Sequence, residues 1–432
     1  MKTEEEDEEE EREEFESLVK ELYGDVDFWN KITERSYDET RKELEGIFGK
    51  RLNLLSETHI RNLYFINFLG NHDGPSSPEK PDWLDREKFR KGQRFARDNI
   101  AGFFLGQLYG LFLLLCHDDS LRSIIATRKS HTPYLAFKRY LSTGQRVRNW
   151  YTEDPWCEGT KAYKDIQTVK RMHLDASTRV NRFDWEEMES KSAIRDPYCP
   201  ALRFITDDFS TILPPDSSSA QLYAEQSKYL RTNANAKRIN QSEMAYTLFG
   251  FMGLPVLYPD HFGIYPKTDE DLDNFCYVWR CIGYLLGIDE EINICRGSLD
   301  DVKARCRWYI DELAKPALQR LEPQWEHMTR CVVEGNLYFT TVCNFETIVL
   351  CIADIVGIEM PIFYSSLTYS QRIKYYLHKY FLRYGLKYSF VRSFVNEVLN
   401  SSFDKALDFD DTRIAELKKK SMSSPLHVSV GK

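Results

Sequence analysis

The run NIAGFFLGQLYGLFLLLC, residues 99–116, constrains the fold more than any other stretch of the chain. Gly102, Gly106 and Gly110 recur every four residues. On a helix of 3.6 residues per turn they line one face, which is thereby stripped of side chains. Another backbone can approach such a face closely, in a membrane or in a core, or the groove can take a flat ligand. About 17 residues are apolar, the lower limit for crossing a bilayer, and Gln107 interrupts them. The expectation is a buried core helix. The later run 348–358 contains Asp354 between Glu346 and Glu359 and also reads as core. Helical periodicity dominates, strand signals are sparse and no solenoid repeat is present, so the fold class is all-α.

Such a helix needs a large core around it, and the composition supplies one: 42% hydrophobic and 14% aromatic residues over 432 positions. The net charge of −9 is concentrated at the N-terminus. Residues 1–24 hold twelve acids against three bases, which leaves a body with equal numbers of each. An acidic start predicts a disordered tail and excludes a secretory signal. A neutral body gives no electrostatic case for nucleic acid. Ten scattered cysteines without a CxxC read as mostly free thiols in a reducing, cytoplasmic compartment, and they argue against structural zinc.

The chain divides into the acidic tail (1–24), an N-terminal helical segment with the Pro-rich loop NHDGPSSPEKPDW (25–89), a core (90–290), a C-terminal helical extension (291–415) and a tail (416–432). Loops are expected at 211–221 and 260–268. SQRIKYYLHKYFLRYGLKYSF, residues 370–390, interleaves Arg372, Lys374, Lys379, Arg383 and Lys387 with aromatics. It reads as a packed helix whose basic residues snorkel. The other reading is a peripheral contact with an anionic, intracellular membrane surface.

DIQTVKRMHLDASTRV, residues 165–180, raises a chemical question. Ile166, Val169, Met172, Ala176 and Val180 fall at helical spacing, and His173 sits inside their stripe. A buried imidazole needs partners for its nitrogens, so His173 is either a hydrogen-bonded core residue or a ligand. Neither HExxH, GxSxG, an EF-hand loop nor a P-loop is present. No second histidine lies three or four residues away, so this helix has no two-histidine metal face. A single neutral imidazole on an apolar helix face, in an aromatic-rich α protein, is a common way of holding haem iron.

Four stretches then carry a likeness: RYLST (139–143), VKRMHLDA (169–176), RINQSEMAYTLFGF (238–251) and DEDLDNFCYVWRCIGYLLGID (269–289). In order and spacing they resemble the haem oxygenase family of rubber oxygenase (latex clearing protein) and the endoplasmic-reticulum-bound oxygenase mpaB. The resemblance covers residues 90–290. It implies a b-type haem in a globin-like helical core, with further helices around the pocket. His173 would ligate the iron, Arg139 and Thr143 would shape the distal side, and Arg171 would orient the histidine or a propionate. Arg280 would meet a propionate or simply a carboxylate. The implied reaction uses dioxygen to oxidise, or cleave at a C=C bond, an apolar isoprenoid or lipid-like substrate. The family's Arg-x-x-Lys-Thr segment has Ser142 in place of lysine here. The family's lysine can occupy the sixth iron position; serine is a weak ligand on a short stem, so a five-coordinate or water-bound ferric haem is expected. The rivals are a haem-binding sensor or carrier, and a helical scaffold whose site has decayed.

Other matching residues also have local structural readings. Asn240 and Glu243 form the capping box of a helix, with Ile239 stapled to Met244. Thr268 caps the next helix, whose stripe Leu272, Phe275, Trp279, Ile282 and Leu286 is core and which Gly287 ends. A surface salt bridge is the structural alternative for Arg139.

Overall fold

The computed structural model describes residues 80–214, 237–341 and 343–430, with a few positions between 217 and 231. The acidic tail, and the N-terminal helical segment and loop as far as residue 79, lie outside the described residues. Helix is the regular secondary structure of the described residues: an isolated bridge between Ile194 and Val430 is their nearest approach to a sheet. All-α is thus the observed class.

The first helices are α1 (Arg86–Asp98), α2 (Ile100–Leu114), α3 (Asp118–Ala126), α4 (Pro133–Thr152) and α5 (Lys161–Val180). Next come α6 (Trp185–Ser192), α7 (Leu202–Phe209), α8 (Gln241–Leu257), α9 (Asp269–Leu285) and α10 (Leu299–Trp308). The chain closes with α11 (Pro323–Asn336), α12 (Phe345–Ile355), α13 (Pro361–Ser366), α14 (Tyr369–Tyr380), α15 (Ser389–Leu407) and α16 (Asp411–Met422).

The glycine stripe of α2 is filled by backbone and by close-packed side chains. Gly110 lies on Gly250 of α8, Gly106 on the Pro255 ring, and Gly102 on the Phe262 carbonyl and Ile264. A β-carbon at any of the three would collide with these atoms. The groove therefore serves helix packing and leaves no room for a flat ligand. Gln107, the polar interruption, donates to the Tyr151 hydroxyl at 3.3 Å, which also accepts from Trp279 Nε1 at 3.2 Å. A partnered amide is tolerated in a core. Among the described residues no single helix is long and apolar enough to cross a membrane.

Three of the local expectations hold in detail. α8 begins with the Asn240–Glu243 capping box. The α9 stripe from Leu272 to Leu286 is buried, and Gly287 follows in the left-handed region at φ 93°. All ten cysteines are free. Thr268 occupies the cap position of α9 without a side-chain hydrogen bond, a departure from expectation.

The extension beyond residue 290 shares one hydrophobic core with the rest. Trp325 Nε1 on α11 donates to the Phe112 carbonyl at 3.1 Å, and a β-carbon at Gly335 would press 2.6 Å from Phe137 N on α4. α16 runs across the expected boundary at 416 to Met422, and Leu426 beyond it is buried.

Buried carboxylates close helix ends that lack caps of their own. Glu326, fully buried on α11, accepts from Ala201 N at the start of α7 at 3.0 Å and from Arg330 Nε at 2.7 Å. Asp208 accepts from Ile362 N and Phe363 N at the start of α13, at 3.1 and 2.7 Å. Each supplies the acceptor that the first turn of a helix needs.

Candidate functional site

α4 and α5 form a helical hairpin pinned near its closed end. Thr160 caps α5 by accepting from Tyr163 N. Asp165 accepts from Asn149 Nδ2 at 2.7 Å and lies 3.7 Å from Arg146 Nε. From Asp165, eight residues carry the chain to His173, about 12 Å along the axis. From Arg146, seven residues lead back to Arg139, about 10 Å. The candidate residues thus sit on the far arms of one hairpin.

His173 is half-buried, with the half-buried Val169 and Ala176 one turn to either side. The expected stripe is displaced: Ile166 and Val180 are buried, but Met172 is 39% exposed, and its neighbour Leu174 is 47% exposed. The inward face therefore runs through His173 to Ser177 and Asn181 rather than through Met172. Ser177 Oγ and Asn181 Nδ2 donate to the Arg238 carbonyl at 3.4 and 3.0 Å, and Arg238 N donates back to Asn181 Oδ1 at 2.7 Å. Arg238 Nη1 in turn donates to the Val180 and Phe183 carbonyls at the end of α5. The histidine helix is thereby locked to the chain entering α8.

The other candidates are held as follows. Arg139 is half-buried, donates to Ser130 Oγ at 3.2 Å and lies 5.8 Å from the centre of the Tyr140 ring, a hydroxyl contact where its structural alternative had a surface salt bridge. Thr143 is half-buried one turn further on. Ser142 accepts from Arg146 Nη1 at 2.7 Å. Arg171 is exposed, and two residues along a helix turn it about 200° away from His173. Arg280 donates to Glu290 from Nε at 2.8 Å and also from Nη2, and it stacks 4.1 Å over Trp83. Of its two readings, the carboxylate is the one the fold provides.

Gln241 and an acidic pair are sites that the sequence reading missed. Gln241 donates to the Gly287 carbonyl at 2.9 Å and accepts from Asp289 N at 3.0 Å, clamping the turn after α9. At the start of α3, Asp118 holds Arg122 at 2.7 Å and Arg231 at 2.9 Å. Arg122, Arg231 and Arg238 all lie within 5.7 Å of the Trp185 ring centre. Beside them burial, then the charges of Asp118 and Glu243, push the Asp119 carboxyl up from 3.8 to about 7. The DD pair at 118–119 was the available signal. Its folding against residue 243 was not.

A carboxyl raised in the folded state opposes folding once it must ionise. That cost is absent below the unfolded value of 3.8 and is complete above about 7. Asp119→Asn should therefore raise the urea midpoint at pH 8 and change it far less near pH 4. Equal gains at both pH values would contradict the ionic origin.

Among the described residues no group of three or more His, Cys, Asp or Glu side chains is placed to hold a bare metal ion. The chain matches no known protein family, curated protein or solved structure.

Proposed function

We propose that this protein is a haem-dependent oxygenase of the rubber oxygenase and mpaB type, with a globin-like core around a b-type haem. The observation that carries the reading is His173. It is a half-buried imidazole, the one histidine of a long helix, with Val169 and Ala176 one turn to either side. Haem iron would need one protein side chain where a bare ion needs three or more, so a single histidine would be enough to hold it.

When bound, haem iron would supply the dioxygen chemistry that no side chain can. The chain's own residues would bind and orient. The lock from Ser177 and Asn181 to Arg238 would fix the rotation of α5 and hence the direction of the imidazole. Arg139 and Thr143, on the opposite arm of the hairpin, would line the far side. Met172 and Leu174, exposed on the two flanks of the histidine, would each offer an apolar contact to a prenyl or lipid-like chain. Cleavage of one C=C bond by one O₂ into two carbonyls balances without an external reductant.

The helical-scaffold reading also has a specific observation behind it. Asn240, Gln241 and Arg280 all have complete structural duties in capping, clamping and ion pairing. Oxygen uptake separates these readings. With haemin bound and a polyprenol supplied, the protein should consume dioxygen and release carbonyl products. Haem binding without uptake would leave a carrier or sensor.

A further inference from the structure

Residues 369–398 expose a second apolar face. α14, extended by a π-helical turn at Phe381–Gly385, buries Tyr375, Leu382 and Leu386 on one side. His378, on the same inner side, hydrogen-bonds the Tyr109 hydroxyl of α2 at 2.8 Å, and burial keeps it neutral by lowering its pKa to about 4. At about 100° per residue, Tyr369, Ile373, Leu377, Tyr380 and Tyr384 fall on the opposite side. All five are exposed, Leu377 by 66%. Tyr376, Tyr380 and Tyr384 stack in a ladder with ring centres 6.2 and 5.9 Å apart. Phe390 and Phe394 continue the surface on α15, exposed by 73% and 65%. The expectation of an ordinary packed helix therefore holds for one face only.

Basic residues separate the two faces of α14. Arg372, Lys379 and Arg383 flank the outer stripe along one edge, and Lys374 flanks it along the other. Residues 369–398 hold six bases and one acid, Glu397, in a chain whose net charge is −9. Asp354 pairs with Lys379 and Asp260 faces Arg383. Lys374 and Lys387 are exposed and have no ion pair among the described residues.

We infer that this face docks on an anionic phospholipid surface, an inference independent of the haem reading. An exposed apolar stripe of this extent marks an interaction site. A second copy would bring two positively charged patches together, which like charges oppose. The chain's own residues 1–24 carry the complementary charge but few apolar side chains to cover ring after ring. A bilayer interface offers both: aromatics rest at headgroup depth, while lysine and arginine reach the phosphates.

Co-sedimentation of the full chain with vesicles tests this. Phosphatidylserine-containing vesicles should carry the protein down, and pure phosphatidylcholine vesicles should carry far less. Leu377→Ser/Phe390→Ser/Phe394→Ser, all exposed positions, should abolish binding with an unchanged circular dichroism spectrum. Lys374→Gln and Lys387→Gln should each weaken it about fivefold at low salt. Equal binding by the triple variant would overturn the assignment, as would failure to bind either vesicle. A solution dimer dissociated by the triple substitution would give the face to a second copy, and binding that appears only without residues 1–24 would give it to the acidic segment; either overturns the inference.

Discussion

Gly110→Ala should destabilise the protein severely, and Gly250→Ala, directly across the interface, should not. The added methyl at Gly110 would strike the carbonyl oxygen, carbonyl carbon and α-carbon of Gly250. None of these is a side chain that can rotate away, so α2 and α8 must part. Overpacking of this kind costs about 2–4 kcal/mol when backbone must move. A methyl at Gly250 would meet the Gly110 carbonyl oxygen at 3.7 Å, an ordinary contact. Replacing a mid-helix glycine there should be neutral or add about 0.5–1 kcal/mol through reduced unfolded-state entropy. Denaturation midpoints of the two variants check this, and equal effects would mean that α2 and α8 do not meet as described.

Glu326→Ala should be comparably damaging for an electrostatic reason. The carboxylate is fully buried, accepts from Ala201 N and holds Arg330, whose second partner is Glu346 at 2.9 Å. Its removal leaves a buried backbone donor open and a half-compensated guanidinium. Breaking a buried pair from one side costs about 3–5 kcal/mol, and the remaining Glu346 contact places the expected loss near the lower figure. Glu326→Gln should lose less, because the amide oxygen can still accept from Ala201 N. A glutamine variant as unstable as the alanine variant would assign the stability to the charge alone.

The contrast between these two sites shows what the sequence could reveal. The glycine stripe, the Asn240 capping box and the α9 core stripe repeat at helical spacing within a few residues, so their consequences are local. Glu326 and Ala201 are 125 residues apart, and Gln241 and Gly287 are 46 apart. Nothing in their neighbours announces those partners. Periodicity also fails where a helix is apolar on two sides. In 370–390 it marks both faces alike, and only packing shows that Tyr375 and Leu386 turn inward while Leu377 turns outward. The same ambiguity moved Met172 off the expected stripe. His173 was legible as the unusual residue of its helix. Its lock through Ser177 and Asn181 to Arg238 was not, because the hydrogen-bonding residues lie some sixty positions apart.

The central claim is that His173 ligates haem iron, and absorption spectroscopy of the full chain reconstituted with haemin tests it most directly. Wild type should show a Soret band of a five-coordinate or water-bound ferric haem, because the Ser142 hydroxyl is a weak ligand on a short stem and already accepts from Arg146 Nη1. His173→Ala should lose that band while keeping its helical circular dichroism, since a half-buried surface of α5 is not a core position. A wild-type spectrum identical to free haemin, or one unchanged by His173→Ala, would contradict the account and return the histidine to the hydrogen-bonded framework of the helices.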